Sequence, residues 1–224
     1  MNSIKHFVFR VLTYCIGLLV LAFGVVFAIN SDLGVSPVNS LPYVISLVLG
    51  APLSICVTAV FVFYILLQVI ILRKDFKWYN IFQIAFSTIF GVFVDFAKWA
   101  VGDFTIPTYF GKLALLAISI VFIAVGISLY LGAKLIPMPM EGLTLALTDK
   151  SKRIKFQYMK TIVDSVIVLT SVAISLLCLG TLKGVREGTI LTAVLIGKVI
   201  DFVQKRLNPL IDKICFPPTE VVGQ

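Results

Sequence analysis

Charge is scarce in this sequence. Of its 224 residues only 13% are Asp, Glu, Lys or Arg, whereas roughly a quarter of an ordinary soluble domain is charged. So little charge cannot cover a water-exposed shell. With 59% hydrophobic residues and a mean hydropathy of +1.06, the composition indicates a chain that crosses a membrane several times. Histidine is reduced to His6, in the basic N-terminal head, and the four cysteines, Cys15, Cys56, Cys178 and Cys215, show no CxxC or ligand-like spacing. Packing roles are therefore expected for the cysteines, and neither a metal site, a cofactor nor a disulfide framework is expected. Catalysis is not expected either, because no histidine lies in an apolar span and the acidic residues form no cluster along the chain. The stretch GTLKGVREGT lacks the lysine and hydroxyl of a phosphate-binding loop, which argues against direct use of ATP. The first apolar run has no small-residue cleavage site, so it is expected to be retained.

What is present is a series of long apolar runs, at 7–29, 52–72, 80–101, 111–132, 157–180 and 187–207. Each can cross a hydrocarbon core of about 30 Å at 1.5 Å per helical residue. Two shorter segments, 36–50 and 137–149, interrupt the series. If they dip into the membrane and return, Lys5, Arg10, Arg73, Lys74 and Lys77 share a side with nine later cations. Only Lys98, Lys112, Lys183 and Arg186 then face the other side. The positive-inside rule favours this arrangement, with both termini cytoplasmic. The net charge of +8 is accounted for by these flanking cations, without nucleic acid as a partner.

The chain also repeats itself. Displaced by 102 residues, Gly24, Leu33, Pro37 and Leu41 meet Gly126, Leu135, Pro139 and Leu143. Displaced by 106, Ile84, Gly91, Asp95 and Phe96 meet Ile190, Gly197, Asp201 and Phe202. The fold expected is an all-α polytopic membrane protein with six transmembrane helices and two re-entrant half-helices. The first repeat covers 7–101 and the second 111–207, followed by a cytoplasmic tail at 208–224. Three crossings per repeat invert the second copy relative to the first.

Interrupted segments at matching positions point to a secondary transporter, with solute and ion sites near the midplane. Pro37, Pro137 and Pro139 suit half-helix starts, where the missing N–H costs nothing. Asn39 and Glu141 fall just inside those starts, where unpaired N–H groups and the dipole favour an acceptor. Asp95, Asp201 and Asp164 are ionisable groups within spans, which are expected to face the protein interior or a cavity. Lys98, Lys198 and Lys160 are their nearest cations along the helix. Gly24, Gly91, Gly126 and Gly197 are candidates for close helix contact. The function expected is transport of a small polar or amphipathic solute, coupled to a proton or sodium ion. A channel or facilitator, or an accessory subunit without transport, are the alternatives. The surroundings are the lipid bilayer, with a homo-oligomer or a membrane partner as further associations.

The run from Gly24 to Pro37, its second copy from Gly126 to Pro139, GVFVDF at 91–96 and GTILTAVLIGKVIDF at 188–202 resemble the YitT and YczE-like integral membrane proteins of bacteria. The resemblance covers nearly the whole chain. It implies a multi-span protein of the bacterial plasma membrane and carries over no substrate or catalytic residue.

Overall fold

A computed structural model describes residues 2–216. The chain forms eight α-helices: α1 (Asn2–Ser31), α2 (Pro37–Leu49), α3 (Leu53–Leu72), α4 (Phe82–Val101), α5 (Tyr109–Gly132), α6 (Pro139–Ser151), α7 (Phe156–Leu179) and α8 (Glu187–Cys215). Among the described residues there is no strand. Five helices, α1, α3, α4, α5 and α7, are long and apolar enough to cross a membrane. The sixth expected span, α8, carries Lys198 and Asp201 and is not among them. Residues 208–215, expected in a tail, continue α8, while 217–224 lie outside the described residues.

The breaks between helices follow from local chemistry. Pro37 and Pro139 each occupy a first helical turn after an extended residue, Ser36 and Met138, where proline forfeits no intrahelical bond. Gly50 closes α2 in the left-handed region at φ 62°, a conformation glycine reaches without a Cβ penalty.

The centre of the molecule is the α1–α5 pair, which runs antiparallel. Arg10 Nε donates to Ala133 O, Gly17 faces Gly126 and Tyr130, and Ser119 Oγ donates to Gly24 O. A Cβ at Gly126 would come within 2.6 Å of Leu21 N and 2.7 Å of Gly17 O, so the two backbones approach as only glycine permits. Around this pair the packing repeats. α1 packs on α4 and α5 on α8, α2 on α3 and α6 on α7, and α2 on α7 and α6 on α3. One counterpart is missing: α4 lies along α3, but α8 does not lie along α7.

Candidate functional site

The site is built at the start of α6. Tyr14 of α1 donates to Ile136 O at 3.0 Å, which fixes the extended segment ahead of Pro139. Glu141, the third residue of α6, then points at α5, where the Tyr130 hydroxyl donates to Oε1 at 3.0 Å. Its Oε2 is buried and has no hydrogen-bond partner. Tyr14 and Tyr130 meet edge to face at 5.7 Å, and Tyr14 tilts against Phe86 at 4.4 Å. From α7, Lys160 and Asp164 form an ion pair at 3.4 Å one helical turn apart, and both charges act on Glu141. Tyr64 of α3 is 2% exposed, its hydroxyl has no partner, and it feels the charge of Asp164.

Beside this cluster lies a second buried polar contact. Gln68 of α3 donates to Gln83 Oε1 of α4 at 3.1 Å and to Pro139 O at 3.0 Å. Gly142 makes room for the pair, since a Cβ there would meet Gln68 Oε1 at 2.7 Å and Gln83 Nε2 at 2.9 Å. A cavity of about 650 Å³ opens above it, lined by Gln83, Pro137 and Gly142 inside and by Lys77, Lys150 and Lys152 at the rim.

Glu141 and Asp164 stand close enough for their charges to interact, whereas the other expected site residues are elsewhere. Asn39, the third residue of α2 and 6% exposed, donates to Ser36 Oγ at 3.0 Å and leaves Oδ1 without a partner. Asp95 accepts from Ser54 N at 3.3 Å and from the Ser54 hydroxyl, capping the start of α3. Its expected neighbour Lys98 pairs with Asp103 instead, at 3.7 Å. Asp201 lies in a separate groove of about 1010 Å³ with His6, Lys205 and Asp212. No ion pair joins it to Lys198 among the described residues. Gly24 sits against Ile123 and Gly91 against Ser54, whereas Gly197 faces open space, so the helix contact expected at Gly197 is not made.

Tyr64, Tyr130, Gln68 and Gln83 were not among the sequence candidates. Both glutamines had a usable signal, a polar amide inside an apolar helix; the tyrosines had none among so many aromatic residues. Among the described residues, no group of three or more His, Cys, Asp or Glu side chains gathers as a metal site.

The comparisons with known proteins agree with this picture of a helical membrane protein. The chain is 28% identical over 189 residues to "Uncharacterized protein YyaS" of Bacillus subtilis (strain 168), covering 84% of this chain and 88% of the relative. It is 27% identical over 202 residues to "Uncharacterized membrane protein YczE" of the same organism, covering 88% and 86%. No solved structure matches. The model of the "Family of unknown function (DUF6198)" matches residues 8–205, nearly the full chain, and the protein therefore belongs to that family as a multi-pass membrane protein of the YczE-like kind.

Proposed function

We propose that the protein is a secondary transporter of a small polar or amphipathic solute, working by alternating access with proton or sodium coupling rather than by catalysis. The observation that carries this reading is Glu141, a carboxylate at the start of a short helix whose Oε2 is buried without a hydrogen-bond partner. An ionisable group at membrane depth is costly and is normally kept for a pathway or a site.

The packing supports an inverted repeat. Ser40 and Gly142 are the fourth residues of α2 and α6, and they meet Ser171 and Gln68, the sixteenth residues of α7 and α3. Equivalent helices therefore touch through equivalent positions, and the antiparallel α1–α5 pair supplies the inversion. Re-entrant placement of α2 and α6 is supported by their length, 13 residues each, which spans about 20 Å and falls short of a hydrocarbon core of about 30 Å. Both ends of α2 also lie near the close of outgoing helices. Val35 N donates to Gly184 O, and Ala51 and Leu53 line a cavity with Asp95 and Gly102. The distribution of cations supports a cytoplasmic side for both termini.

The missing α7–α8 face supports alternating access, because one half is closed along α3–α4 while its counterpart is open. The test is uptake into proteoliposomes of labelled amino acids, organic cations, organic anions and nucleosides, with imposed proton or sodium gradients. Saturable, gradient-dependent uptake that falls at least tenfold in E141Q is expected. Uptake that neither saturates nor responds to a gradient would favour a channel, and no uptake of any solute would favour the accessory role.

A further inference from the structure

Resting on the transport reading above, we infer that the group recognised at Glu141 is an organic ammonium. The cluster holds two carboxylates, Glu141 and Asp164, against one cation, Lys160. That cation is taken by Asp164 at 3.4 Å, and no cation stands within ion-pair distance of Glu141 among the described residues. The cluster thus holds one more carboxylate than cations, and Glu141 is the carboxylate without an ion-pair partner.

The unpartnered oxygen has the same preference. Glu141 Oε2 is a buried acceptor without a donor. A buried carboxylate left in this way costs free energy that a charged donor would recover. Tyr14 and Tyr130, held edge to face, and Phe86 beside them place aromatic rings near the same carboxylate. Aromatic faces attract an ammonium and its apolar carrier together. An anionic solute would instead meet the Glu141 charge with the nearest lysine already engaged. A bare metal cation needs about six oxygen ligands, and the one unpartnered carboxylate oxygen of Glu141 does not supply them.

The experiment uses three ligands of matched shape and different charge: phenethylammonium, its neutral N-acetyl amide, and 3-phenylpropionate. Each is titrated into the purified full-length protein, and binding is read by thermal shift and by equilibrium binding of labelled ligand. The ammonium is expected to bind saturably, with the amide and the anion at least tenfold weaker. E141Q should weaken the ammonium at least tenfold, and E141D, which keeps the charge but withdraws it by one methylene, should weaken it several-fold if E141Q does not fold. Binding of the anion or amide as tight as that of the ammonium, unchanged binding in folded E141Q, or no binding of any of the three would overturn the inference. The transport reading fails separately. Ammonium binding without uptake into proteoliposomes keeps the site and removes transport, whereas uptake of another solute class keeps transport and removes the ammonium.

Discussion

Asp95 and Asp201 occupy matching places in the two halves, yet their surroundings differ. Asp95 takes the backbone N–H and the hydroxyl of Ser54 at the start of α3, and so satisfies donors that a helix start leaves open. Asp201 is exposed in its groove. D95A should therefore lower the stability of the detergent-purified protein by about 1–2 kcal/mol, while D201A should stay within about 0.5 kcal/mol. Denaturant unfolding of both variants checks this, and equal losses would contradict the cap. At Tyr130 the same logic applies to a charged acceptor: Y130F removes the side-chain donor to Glu141 Oε1 and should cost about 1.5–3 kcal/mol. Asp95, Asp164 and Glu141 are legible in the sequence because ionisable groups in apolar runs stand out. Their partners were less legible. Lys160 and Asp164 are one turn apart and could be paired from spacing, but Ser54 reaches Asp95 from another helix, and Lys98 turns to Asp103 beyond the helix end.

At the scale of elements, the glycines separate contacts that are made from one that is not. A methyl group at Gly126 would collide with the backbone of Leu21 and Gly17, atoms that cannot move without parting α1 from α5. G126A should destabilise the protein by about 1–3 kcal/mol, whereas G197A, with nothing within 4 Å of its Cβ, should not reduce stability in the same assay. A large loss in G197A would mean that α8 rests against a neighbour. The element pattern itself was highly legible. Proline and glycine mark both short helices, and apolar runs of about twenty residues mark the long ones. Five expected spans therefore coincide closely with α1, α3, α4, α5 and α7, while the sixth coincides with a helix, α8, that is not apolar enough to count as a span. The extension of α8 to Cys215 was not, because its later turns are charged. Helix α8 continues there by packing its end on the start of α1 and the end of α5, with Cys215 near Thr13 and Ile211 against Gly132.

At the scale of the whole molecule, α8 poses a physical problem that the transport reading resolves. Lys198 is exposed, and its neighbours Ile196 and Val199 pack against the cluster of Leu33, Leu116 and Ile120, which places it well inside the length of α5. An ammonium at such depth does not face lipid without a wet cavity or a protein cover. If the two halves are the inverted repeat proposed above, its symmetry names a cover. In the closed half, Gly91 meets Ser54 and Thr58, the second and sixth residues of α3. In the other half, Gly197 would meet the sixth residue of α7, Thr161, if α8 swung onto it. Closure of this seam and opening of α3–α4 would exchange the two halves, which is how an inverted repeat alternates its access. A variant with Cys15, Cys56, Cys178 and Cys215 replaced and with T161C and G197C added should form a disulfide under oxidation. Trapping α8 on α7 should stop uptake at least tenfold, and reduction should restore it. G197A should also slow uptake while leaving stability intact, because its methyl group enters the contact only in the closed seam. If the two cysteines never join, with or without a transported solute, the halves do not exchange, and α8 must be covered by another chain.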